Sequence, residues 1–93
     1  MILMGIEVTI LIPDAYSLKE KRSVVKSMIR KTQNQFHISS AEVGDLELHN
    51  KSIVGFGIVG NDRGQCQKVL HDVLTFIEGN YPVEVLDTEW LDY

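Results

Sequence analysis

Ile6, Val8, Ile10 and Ile12 recur at every second position, with Gly5, Glu7, Thr9 and Leu11 between them. Period two predicts a strand with one buried face and one partly wet face, ended by Pro13-Asp14. The period then lengthens. Leu18, Val24, Val25, Met28, Ile29, Thr32 and Phe36 fall in one sector at about 100° per residue, which predicts an amphipathic helix over 17–35. Ser17-Leu18-Lys19-Glu20 has capping-box form: the Ser17 hydroxyl accepts from the Glu20 N–H, and the Glu20 carboxylate from the Ser17 N–H. Residues 36–43 read as a second strand, weakened by Ser39 and Ser40. Residues 44–51 read as a polar turn, and 52–60, rich in Ile, Val and Phe, as a third strand. Asp62 and Gln65 repeat the capping-box spacing. Cys66, Val69, Leu70, Val73, Leu74 and Ile77 then recur at helical intervals, with Gly79 placed for the C′ position and Pro82 beyond it. Residues 83–91 read as the fourth strand.

The order β-α-β-β-α-β predicts one α+β domain over residues 1–93, a ferredoxin-like sandwich. Two interleaved right-handed crossovers put both helices on one face of a four-stranded antiparallel sheet. By analogy with that fold the strand order is 4-1-3-2.

Composition narrows the function classes. The chain has 93 residues, 44% of them apolar, one cysteine and a formal net charge of −4. It is too apolar for a disordered chain, and Cys66 leaves no internal disulfide to form. Met1-Ile2-Leu3-Met4 lacks the basic start of a signal peptide, and the longest apolar-plus-glycine run, 53–60, falls short of the ~20 residues of a membrane span. The reading is a cytoplasmic protein with no membrane partner.

Gly55-Phe56-Gly57-Ile58-Val59-Gly60 spells G-x-G-x-x-G, but inside a strand rather than at the opening of a helix, so no dinucleotide cofactor is expected. Gly55 and Gly57 are expected instead to let a helix approach the sheet. The same run superficially matches the RNP1 pattern of RNA-recognition motifs. However, Val54, Ile58 and Asn61 replace its basic and aromatic positions, and the first strand offers no stacking partner. Phe56 is expected in the core. His37, His49, His71 and Cys66 share no ligand spacing, with Cys66 read as a buried thiol and His71 as a surface imidazole. Asp45, Glu47 and His49 read as a solvated loop or strand edge. An acylphosphatase shares this size and topology, but Pro13-Asp14-Ala15-Tyr16 has no glycine or arginine for a phosphate cradle. No convergent catalytic set, metal site, cofactor or small-molecule substrate is identified.

Charge placement is the strongest signal. Between Ser17 and Lys31 lie Lys19, Lys21, Arg22, Lys26, Arg30 and Lys31 against Glu20 alone, a local +5. The remaining 3 basic and 12 acidic residues give −9. Arg22, Lys26, Lys19 and Arg30 lie within about 80° on a helical wheel, while Lys21 and Lys31 flank the apolar sector. Arg22/Lys26 and Lys26/Arg30 are like charges at i, i+4, mildly unfavourable to a helix, and several cations sit at the end that the dipole disfavours. A local rule broken without compensating gain marks a candidate site: Lys19, Lys21, Arg22, Lys26 and Arg30 on RNA phosphates. The alternative is a solvated helix face on a protein-interaction module. That module would self-associate as a homodimer through its sheet, using Leu11 and Trp90.

Ser17-Leu18-Lys19-Glu20-Lys21-Arg22 followed by Val24-Val25-Lys26-Ser27 resembles the signature of the YlxP-like family, a bacterial domain of unknown function. Similarity continues through 36–43, Val54-Gly55, Val59-Gly60-Asn61-Asp62, Val69-Leu70 and Phe76-Ile77-Glu78. The resemblance implies a ferredoxin-like fold. Genes of the family commonly lie among those for translation initiation and ribosome maturation factors, which implies an accessory protein whose partner is ribosomal RNA or the ribosome. It implies no catalytic residues. Gly60 stands where the family usually has Ser, and Ser40 where it has an apolar residue, a change expected to loosen the second strand.

Overall fold

The structure, a computed structural model, describes residues Met1–Tyr93. Its elements are β1 (Ile2–Leu11), α1 (Leu18–Phe36), β2 (Ser39–Gly44), β3 (Lys51–Gly60), α2 (Arg63–Asn80) and β4 (Glu84–Asp92). They form the expected ferredoxin-like βαββαβ fold, one antiparallel sheet in the order β2-β3-β1-β4. Met4, Ile6, Val8 and Ile10 of β1 and Val54 and Phe56 of β3 point to one side. There they meet Val25 and Met28 of α1 and Cys66, Leu70, Val73 and Ile77 of α2 in one buried cluster. The other side of the sheet carries no helix.

The helix ends differ from the sequence reading. The Ser17 hydroxyl does accept the Glu20 N–H at 3.1 Å. The Glu20 carboxylate, however, takes the Tyr16 N–H at 3.0 Å, one residue earlier than predicted. α1 runs one residue beyond the predicted end, to Phe36, and stops at His37, whose left-handed backbone (φ 54°) sends its N–H back to the Gln33 carbonyl. Asp62 makes no side-chain cap. Gly79 lies inside α2 without a positive φ, and the helix ends in extended backbone at Tyr81.

Ser40 is tied down rather than loosening β2. Thr32 Oγ1 lies 2.8 Å from the Met28 carbonyl and 3.0 Å from the Ile29 carbonyl, so its one proton serves its own helix. The Ser40 hydroxyl, 2.9 Å away and buried, therefore donates to Thr32. Thr32→Val leaves that hydroxyl without its acceptor. The expected loss is about 1–2 kcal/mol in urea unfolding, with Ser40→Ala added to Thr32→Val restoring most of it.

The glycines divide otherwise than expected. Gly55 and Gly57 alternate with buried Val54 and Phe56 and face away from both helices, so they do not admit a helix. Gly60 does: a Cβ there would sit 2.6 Å from Cys66 Sγ in the first turn of α2.

Candidate nucleic-acid interface

α1 buries Lys21, Val25, Met28 and Thr32 and turns its opposite side to solvent. Lys19, Arg22, Lys26 and Arg30 lie on that solvent side and are all exposed. Their spacing of three and four residues aligns them along the helix, on the order of 5–6 Å apart. Lys19, Lys26 and Arg30 have no carboxylate within ion-pair distance, and Arg22 reaches only a long 4.0 Å contact with Glu47. The chain's own acidic residues therefore do not neutralise the stripe. Lys31 is set apart from it, exposed with its ammonium 6.0 Å above the centre of the Tyr81 ring.

Lys21 does not belong to the exposed row. Its side chain is 0% exposed. The ammonium donates to Glu42 Oε2 at 2.7 Å and to the carbonyls of Asp45 and Leu46 at 2.9 and 3.2 Å, which uses all three of its protons. Glu42 Oε2 accepts a further hydrogen bond from Ser52 at 2.7 Å. No donor is left for a phosphate, and no path to solvent. Lys21 fastens the β2–β3 loop to the start of α1 and so holds the ground on which the exposed cations stand.

The other candidates take structural places. Phe56 and Cys66 are buried in the core. His71 is exposed on α2 and lies against Trp90, ring centres 4.8 Å apart. Trp90 pairs with Ile6 and shares the helix side of the sheet, so it does not belong to the open face assigned to it from sequence. No group of three or more His, Cys, Asp or Glu side chains is arranged to hold a metal ion. No helix is long and apolar enough to cross a membrane. Four shallow depressions mark the surface, and none joins the cations of α1.

Residues 3–90 match the family model described as "Protein of unknown function (DUF503)". The chain belongs to the DUF503 family. Among curated proteins it is similar to "Uncharacterized protein YlxP" of Bacillus subtilis (strain 168), 38% identical over 82 residues, covering 86% of this chain and 89% of that protein. The match spans every element, so the ferredoxin-like fold and the basic α1 both lie within the DUF503 region.

Proposed function

We propose that this protein is a small, non-catalytic accessory protein that binds RNA, as ribosomal RNA or within the ribosome, through the exposed face of α1. One observation carries the reading: Lys19, Arg22, Lys26 and Arg30 form an aligned, solvent-facing row in which only Arg22 meets a carboxylate, Glu47 at 4.0 Å. Such a row suits consecutive phosphates, whose contact releases condensed counterions. The net charge of −4 limits indiscriminate coating of nucleic acid and leaves one directed contact. Cosedimentation with ribosomes across a salt titration tests the proposal. Four phosphate contacts predict a log–log slope of about −3 to −4. Salt-independent association, or none at low salt, overturns it.

A second reading has its own support. Leu3 (39% exposed), Val43 (49%), Val59 (63%) and Tyr93 (75%) are exposed at the sheet or its border. Leu3 and Val59 are register partners on the helix-free face, as are Leu11 and Lys51. A sheet-mediated interaction module would use this face, and sedimentation equilibrium checks its homodimer form.

A further inference from the structure

Leu3, Gly5, Glu7, Thr9 and Leu11 of β1 face away from the helices, as do their partners Val59, Gly57, Gly55, Ile53 and Lys51 on β3. Leu91, Glu89, Asp87 and Glu84 of β4 pair with residues of this set and share the face. Two shallow depressions of about 240 and 410 Å³ meet at Leu3 and Gly57. Together they cross the sheet from His37 to Tyr93. They are open depressions rather than enclosed cavities, a shape for a macromolecular segment rather than a small molecule.

Gly57 lies where they meet, and nothing inside the chain explains it. A Cβ there would touch nothing within 4 Å, whereas one at Gly5 would come within 3.0 Å of the Phe56 carbonyl oxygen and one at Gly55 within 3.2 Å of Val43. Gly57 has no positive φ. Glycine in a strand interior weakens the strand and marks close approach by another group. The rim carries Leu3, Val59 and Leu91 together with Glu7, His37 and Ser39, so the edge mixes large apolar with polar side chains around a bare floor.

Charge selects the occupant. Glu7, Glu84, Asp87 and Glu89 stand on this face against Lys51 alone, and none is ion-paired. Glu7 and Glu89 are direct register partners, an unfavourable like-charge pair across adjacent strands. Two copies joined through this face would bring a net −3 against a net −3. The basic α1 of a second copy fails differently, since none of the exposed large apolar side chains lies on it. The loop with exposed Leu46 and Leu48 also carries Asp45 and Glu47.

We infer that the open sheet face docks a segment of another protein that combines large apolar side chains with lysine or arginine, its apolar residues over Gly57 and its cations against Glu7 and Glu89. This deepens the second reading above and is independent of RNA binding by α1.

A photo-crosslinking benzoylphenylalanine at Val59 of the full chain, irradiated in cells, tests the inference. The expected result is one nuclease-resistant adduct whose crosslinked peptide, identified by mass spectrometry, is apolar and net basic. Gly57→Leu fills the floor from a position where an added Cβ meets nothing within 4 Å. It is expected to lower adduct yield at least tenfold with Tm unchanged or raised. Glu89→Lys removes the like-charge pair and reverses the attraction, and is expected to do the same should the leucine variant fold poorly. Lys26→Glu with Arg30→Glu should leave the adduct intact, which separates this inference from the RNA reading. An adduct with a second copy, a crosslinked peptide that is not basic, a yield indifferent to both face variants, or no adduct overturns it.

Discussion

Replacing Lys21 with methionine is expected to remove about 3–5 kcal/mol of folding stability, the usual result of breaking a buried ion pair from one side. The methionine fits the space of the lysine stem. Glu42, 16% exposed in its side chain, then keeps only Ser52 as a donor, the Leu46 carbonyl loses the lysine N–H, and the Asp45 carbonyl is left with the Leu48 N–H alone. A domain of this size has about 5–10 kcal/mol in total, so much of its stability is at stake. At about 4–8 °C per kcal/mol the melting temperature should fall by roughly 12–40 °C. Urea and thermal unfolding followed by circular dichroism measure both quantities. Adding Glu42→Leu removes the stranded charge and should recover part of the loss. A change below about 1 kcal/mol for Lys21→Met would show that the pair carries little.

Lys26→Glu with Arg30→Glu is expected to weaken RNA binding by about 100-fold at 0.1 M salt. Charge-assisted contacts are worth about 1.5 kcal/mol each, and each 1.4 kcal/mol is tenfold in affinity. Both side chains are exposed and unpaired, so the fold should be unaffected. Like-charge spacing with Arg22 at i, i+4 is also relieved, which slightly favours the helix. Comparing ribosome cosedimentation for this variant and Lys21→Met separates the two roles. The first should lose binding at unchanged Tm. The second should lose Tm while its remaining folded fraction still binds. Unchanged binding after the double charge reversal would sink the proposed function.

The period-two run through Ile12 and the helical sectors of α1 and α2 were legible because one face of each element is buried in a single cluster. Ends were less so. A cap needs two atoms to meet, and Asp62 has the right residue type without the contact. Lys21 was misplaced by residue type. At about 100° per residue it lies within about 40° of Val25, Met28 and Thr32, inside the buried sector. The matching signal is a set of polar residues at inward strand positions: Glu42 opposite Val54, and Ser52 opposite Ile10. The exposure of Lys19, Lys26 and Arg30 followed from the same wheel. The bareness of Gly57 did not, because alternation tells which face a glycine takes and not whether anything covers it. Trp90 was misassigned because its side follows from pairing with Ile6 across β1 and β4.

The central position of β1 also has a consequence in time. Its partners lie late in the chain: Met4 pairs with Asp92, Ile6 with Trp90, and the Leu3 carbonyl accepts the Tyr93 N–H. At a synthesis rate of about 5–20 residues per second, β1 waits about 4–16 s before β4 has been made. During that interval Ile6, Val8 and Ile10 present an unpaired apolar edge, the feature most prone to mispairing between nascent chains. Shortening the chain within β4 makes that exposure permanent, whereas changes on the solvent side of α1 leave it untouched.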